Sequence, residues 1–419
     1  MSTKQSNSLR VITIMAMMFL YAMIAFVTNL AAPVGKIWEQ SFVGDHARIM
    51  GMLGNMMNFL AYLIMGIPAG LMLSKIGYKK TALIAVAVGL LGVLVQWLSG
   101  VSASFVVYLI GAFIAGFSVC MLNTVVNPLL NLMGGGGNKG NQLNLIGGTI
   151  NSLSASLTPM LVGALIGASL DNKTIADVNT LLYIAMAVFA FVFLFLLLTP
   201  IAEPKVSEKG VTYERTPWAF RHFVLGAIAI FVYVGVEVGI PATLIDYLKT
   251  SMDFEIAGFI AGIYWLLMLV GRFVGSAIGG NVSSKTMVVT VSVTAIVLIV
   301  AAMFLGNTIT VPFIGDWKFT IVQIPIAALL LVLCGLCTSI MWGCIFNLAV
   351  EGLGKYTAKA SGIFMMMVVG GGIVPLIQSA VAGRFGEMIS YIVPLVGVIY
   401  ILFYALFGSK NVNKDIKID

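Results

Sequence analysis

Apolar runs of membrane-spanning length recur from one end of this chain to the other, and they leave few folds open to it. A helix needs about 20 consecutive apolar residues to cross a bilayer core. Runs of that kind lie at roughly 11–35, 50–74, 80–99, 104–132, 142–168 and 179–200, then at 218–248, 256–282, 286–306, 319–350, 358–383 and 388–408. In hydrocarbon every backbone N–H and C=O must be satisfied, so only helices and closed barrels span it. These runs are continuously apolar rather than alternating, which selects helices. With 60% hydrophobic and 9% charged residues, the chain carries more apolar surface than a soluble core can hide. The first run, from Val11 to Val34, is too long for a cleaved signal and has no small-residue cleavage site. The expected class is an all-α membrane protein of twelve transmembrane helices.

The formal charge of +7 reports topology, not affinity for nucleic acid, because Lys and Arg collect on the cytoplasmic side of membrane proteins. With the N-terminus inside, seventeen Lys and Arg fall on one side and six on the other. That bias places both termini, the glycine run Gly134–Gly137 and the polar segment Ile201–Pro217 in the cytoplasm. The polar segment divides the chain into a bundle at 1–200 and a second at 218–419. An internal repeat agrees. GIPAGLMLSKIGYKKT (66–81) aligns with GRFVGSAIGGNVSSKT (271–286), pairing Gly66 with Gly271, Gly70 with Gly275 and Lys80 with Lys285. Asn29 precedes Pro33 by four residues, as Glu237 precedes Pro241. Two parallel six-helix repeats are the pattern of major facilitator transporters, which rock about a midplane site.

Polar residues inside the runs are the candidates for function. Glu237 lies well within the seventh run, where an ionisable group marks a functional site by default. It is a candidate for proton coupling or for accepting hydrogen bonds from substrate. The amides Asn29, Asn123, Asn127, Asn151, Asn347 and Gln378 also fall within spans, and each offers donors and acceptors together. Asn123 and Asn127 share a helix face, and with Asn151 they suit a ligand rich in hydroxyls. Interhelical bonding is the competing role for each amide. Tyr264, Trp265 and Trp342 are candidates for stacking on a sugar ring. Lys75, Lys79, Lys80 and Arg272 are expected to form a cytoplasmic gate by pairing with helix C-termini. The glycine run lacks the lysine and hydroxyl ending of a phosphate loop. The four cysteines sit inside apolar spans, and Cys334 and Cys337 have no histidine nearby to complete a metal site. No nucleophile–base pair appears, so neither an enzyme nor a cofactor is expected.

Several stretches resemble the fucose/galactose/glucose permease family of the major facilitator superfamily: NFLAYLIMGIPAGLMLSKIGYKK (58–80), NTVVNPLLN (123–131), FVYVGVEVGIPATLIDYL (231–248), YWLLMLVGRFVGS (264–276) and SIMWGCIFNLAVEGLGKYTAKASGIFMMMVVGGGIVP (339–375). The resemblance implies import of a monosaccharide across a bacterial inner membrane, commonly with protons, by a monomer embedded in the bilayer. It also exposes departures. Asn123 stands where the family commonly has glutamate, Asn29 where proton-coupled fucose permeases have aspartate, and Gly148 where a glutamine is common. Glu237 matches the acidic position of the family's seventh helix. Three modes follow: proton symport through Glu237, sodium symport through neutral oxygens, and uniport. An acidic or amino sugar, with Lys36 and Arg48 near the outer mouth, is a further reading. A drug or lipid exporter of the same fold is the main competitor, and the amides count against it.

Overall fold

The structure, a computed structural model, describes residues 3–39, 47–166, 175–202, 215–316, 319–413 and 416. Its first nine long helices are α1 (Thr3–Glu39), α2 (Ala47–Ile76), α3 (Tyr78–Val101), α4 (Phe105–Met133), α5 (Gly137–Ile166), α6 (Asn179–Leu198), α7 (Arg221–Leu248), α8 (Phe254–Ile278) and α9 (Ser284–Leu305). Three more, each interrupted, are α10 (Ile326–Val350), α11 (Gly354–Phe385) and α12 (Glu387–Gly408). Among the described residues eleven helices are long and apolar enough to cross a membrane. The twelfth is α5, which runs beside them and carries the amides that follow the glycine run.

The interruption in α10 has a local cause. The segment CGLCTS (334–339) ends in two hydroxyls that bond back to the helix. Thr338 Oγ1 donates to the Cys334 carbonyl at 3.2 Å and Ser339 Oγ to the Leu336 carbonyl at 2.6 Å. Such back-bonding competes with the backbone ladder and bends helices. The helix stops at Thr338 and resumes at Met341.

One expected span starts late. The tenth run was expected from residue 319, but residues Ile321–Pro325 form a strand, β2, paired antiparallel with β1 (Thr310–Ile314). β-Branched residues favour the extended chain, and Pro325, which has no N–H, then stands as the N-cap of α10.

Helices α1–α6 pack chiefly on one another, and so do α7–α12. Between the two sets, α2 and α4 meet α11, and α5 meets α8 and α10. One hydrophobic core runs through both sets, from Leu20 and Phe189 to Phe346 and Phe364. A second, with Ile240, Tyr264, Leu331 and Val398, belongs to the last six helices. The repeat is visible in three dimensions. Lys79, second residue of α3, donates to the Leu197 and Thr199 carbonyls at the end of α6, at 3.1 and 2.9 Å. Lys285, second residue of α9, donates at 2.9 Å to the Leu406 carbonyl at the end of α12. The equivalent lysines are therefore Lys79 and Lys285, one residue off the pairing expected from sequence. The turns differ in length: Gly77 alone joins α2 to α3, while 279–283 join α8 to α9.

Candidate functional site

The site is built around the turn between α4 and α5. Gly135, Gly136 and Gly137 have φ of 83°, 73° and 53°, a region closed to most side chains and open to glycine. The turn sends α5 back alongside α4. It lies beside Asn7 and Arg10 of α1 and shares a second hollow with Lys410 and Asn411. Both chain ends and the turn therefore mark one face of the bundle, called here the terminal face. Residues 141, 145, 148 and 152 of α5 then look toward α8 and α10, and residues 140, 147 and 151 toward α4 and α1.

Hydrogen bonds between the first and last six helices cluster on this pair, forming a ladder. Near the terminal face Asn131 Nδ2 donates to Asn347 Oδ1 at 2.7 Å, and Asn347 Nδ2 donates to Ser284 Oγ at 2.9 Å. Asn141 Nδ2 faces Cys344 Sγ at 3.5 Å and Met287 Sδ at 3.9 Å. Gln142 Nε2 donates to the Ser276 carbonyl at 3.1 Å. Deeper in, Asn127 Oδ1 accepts from the Tyr21 hydroxyl at 2.6 Å and from Trp342 Nε1 at 3.1 Å.

Arg272 is the top rung, opposite the middle of α5. Its Nη1 donates to the Gly148 carbonyl at 3.2 Å and to Ser152 Oγ at 2.7 Å. Its Nε donates at 3.2 Å to the Ser339 carbonyl, freed by the break in α10. Its Nη2 meets Glu237 Oε1 of α7 at 3.4 Å. A planar guanidinium has five donors in a fixed fork, so one side chain ties four groups on α5, α7 and α10. The pair is 13% and 14% exposed. At that burial a charge persists only when it is paired and hydrogen-bonded.

Level with this rung or beyond it stand the remaining candidates. Asn123 Nδ2 donates to the Tyr62 hydroxyl at 2.7 Å and to the Val119 carbonyl at 3.1 Å. Asn151 Nδ2 donates at 3.0 Å to the Tyr21 carbonyl. Both amides are only partly buried. Trp265 precedes Arg272 by two helical turns on the same face of α8 and is 44% exposed. Its neighbour Tyr264 turns into its own half, where its hydroxyl bonds Thr338 Oγ1 at 2.8 Å. Gln378 is wholly buried beside Gly239, and its side-chain amide has no hydrogen-bond partner among the described residues. The side chain of Asn29 lies outside the described residues, as do those of Lys36 and Arg48.

Of the four cations expected to form a gate by pairing with helix C-termini, Lys79 makes such a pairing. Lys79 spends its charge on α6, within its own half. Lys75 and Lys80 are exposed. Arg272 hydrogen-bonds across to the other helix set, and it does so from inside the bundle. Sequence reasoning missed Tyr21, Tyr62, Ser152 and Ser339. Hydroxyls and carbonyls in apolar helices are too common to stand out. Ser152 lies four residues from Gly148 and was legible only once a cation faced that side.

The profile of the Major Facilitator Superfamily matches residues 14–376. A glucose/galactose transporter of Brucella abortus is 30% identical over 367 residues, covering 84% of each chain. A putative glucose/galactose transporter of Helicobacter pylori is 30% identical over 428 residues, covering 97% of this chain and 98% of its own. The chain belongs to the major facilitator superfamily, and within it to the family of these sugar transporters. Superfamily relatives also include the L-fucose-proton symporter of Escherichia coli, 23% identical over 384 residues. The crystal structure of that fucose:proton symporter shares the superfamily fold, with a TM-score of 0.81 at 20% identity over 96% of this chain. Relatives in the superfamily are transporters rather than enzymes.

Proposed function

We propose that this transporter imports a monosaccharide, a hexose or deoxyhexose, across a bacterial inner membrane by alternating access, as a cation symporter. The observation that carries the reading is the Arg272–Glu237 pair. It is a buried, balanced charge held by both sets of helices at mid-depth, in a chain whose relatives are named as glucose/galactose transporters. The halves are residues 1–200 and 218–419, joined by the linker 201–217. The terminal face is the cytoplasmic one, so the ladder closes the inner side and the structure is the outward-facing state.

Substrate binds above the top rung. Asn123 and Asn151 keep their carbonyl oxygens for sugar hydroxyls while their NH2 groups brace the helices. Trp265 offers an exposed ring for an apolar sugar face. Gln378, with its unpartnered buried amide, and Asn29 complete the proposed substrate-binding set. Asn127, Trp342 and Asn347 meet the ligand only as the ladder breaks. The ion pair is internally neutral, which favours an uncharged sugar over an acidic or amino sugar and leaves Glu237 as the group for a coupling proton. No cofactor enters this scheme, and the unit is a monomer in the bilayer.

Uptake into proteoliposomes tests this with labelled hexoses, deoxyhexoses, amino sugars and uronates under imposed proton or sodium gradients. The expected result is accumulation of a neutral monosaccharide driven by the proton gradient. Transport of none of these sugars overturns the reading, and gradient-independent equilibration reassigns the protein as a uniporter.

A further inference from the structure

The ladder poses a problem of charge. Four of its rungs are neutral amides or an indole, but the top rung is a guanidinium largely buried between two helix sets. A buried cation is tolerable only while an anion neutralises it. Glu237 is that anion, and it comes from α7, a helix that takes no part in the bonds of Arg272 to α5. The other ionisable groups around Glu237 are Tyr233, one turn earlier on the same face, and Tyr264. Both are buried tyrosines, and neither supplies a negative charge in its place.

We propose that the Glu237–Arg272 pair is the charge lock of the terminal-face seal, and that neutralising Glu237 with a proton releases it. The assignment rests on the alternating-access reading given above. With Glu237 ionised, Arg272 is compensated and seals against Gly148 and Ser152 of α5. With Glu237 protonated, the guanidinium is left uncompensated in a seam that exposes only 13% of its side chain. Its least costly course is then to reach water, and parting α5 from α8 and α10 admits water from the terminal face. The carboxyl takes its proton from the substrate side, because the ladder closes the other side. It returns the proton to water once the seam is open. The break at Ser339 ties the lock to the rest of the ladder. Arg272 holds the Ser339 carbonyl, and Trp342, three residues on, holds Asn127.

The protein carries its own reporters. Cys344 is fully buried inside the seam against Asn141 of the opposite half. Cys120 is equally buried in the core of the first half. Alkylation of each thiol by N-ethylmaleimide in the purified protein, mapped by mass spectrometry, separates gate opening from general loosening. Glu237→Gln, which mimics the protonated carboxyl, is expected to speed labelling of Cys344 by about tenfold or more, the scale set by losing one charge-assisted contact. Cys120 should stay protected. Arg272→Ala and Ser152→Ala should shift Cys344 the same way, the second more weakly. The double variant Glu237→Leu/Arg272→Leu, which leaves no charge to hydrate, should return Cys344 to near its original protection.

Transport supplies a second readout. Glu237→Gln should lose accumulation driven by a proton gradient and keep sugar-for-sugar counterflow. Cys344 as protected in Glu237→Gln as in the original chain, or Cys120 exposed in parallel, overturns the lock. Counterflow of no sugar alongside the expected labelling pattern overturns the sugar assignment and leaves the lock standing. Ser152→Ala and Glu237→Gln carry the test if Arg272→Ala does not fold.

Discussion

Two seams join the helix sets, and they close by opposite chemistry. The seam of α2 with α11 is made of backbone. A Cβ on Gly66 would lie 2.6 Å from the Gly362 carbonyl oxygen, and one on Gly70 would lie 2.9 Å from Gly362 Cα. The seam of α5 with α8 and α10 is made of side chains: amides, an indole, two sulfurs and a guanidinium. The two seams involve the matched second helices of the repeat, α2 and α8. Gly66 and Gly271 correspond, so Ile67 stands where Arg272 stands. The glycine seam fits only when two surfaces are in van der Waals register, and its close approach is made without charged groups. The polar seam can be switched by one proton. A transporter needs both properties, a hinge surface that keeps its fit and a latch that responds to its cargo.

That contrast can be attacked from either side. The largest effect is expected from Arg272→Leu, which leaves Glu237 buried without a partner at a cost of about 3–5 kcal/mol. Thermal unfolding in detergent should show it, and adding Glu237→Leu should recover most of the loss without restoring coupled uptake. Next comes Gly362→Val. Overpacking against backbone costs about 1–3 kcal/mol, and because Gly362 meets only the backbone of Gly66 and Gly70 the loss should not follow the protonation of Glu237. Stability that recovers with Glu237→Gln would show that the seams are not independent. Asn131→Leu strands Asn347 Oδ1 inside the ladder, at about 1–2 kcal/mol, and should raise Cys344 labelling less than the loss of the ion pair does. Lys79→Ala touches neither seam. It removes a cation from the end of α6, worth about 0.3–1 kcal/mol, and should leave gating unchanged. Asn123→Ala should leave both seams intact yet raise the apparent substrate constant about tenfold, the value of one hydrogen bond to a buried partner. Unchanged substrate dependence would assign Asn123 to bracing Tyr62 alone.

The amides show how far one-dimensional reading reaches. Asn123, Asn127 and Asn151 stood out because an amide in hydrocarbon needs a partner, and that inference needs only composition and period. Which partner was not legible. Asn131 meets Asn347 across 216 positions and Arg272 meets Ser152 across 120. Such meetings depend on how each helix is rotated about its axis, which hydropathy leaves open when most faces are apolar. Glu237 was legible as the midplane acid. Its partner was not, because the sequence places Arg272 toward the end of its run expected to be cytoplasmic, where a basic residue serves topology equally well.

The chain by itself made legible a bundle of eleven or twelve spans, the repeat and, through its resemblance, the family. The spans and the repeat follow from local hydropathy, glycine and charge, which act over one or two helical turns, and the family from the motifs that resemble it. Only the tertiary structure decided which amides form the seal, which lysine caps which helix, and that a single arginine spans the two halves. Those outcomes depend on close approach of surfaces far apart in the chain, where a rotation of one residue, about 100° on a helix, turns a rung of the ladder away from its partner.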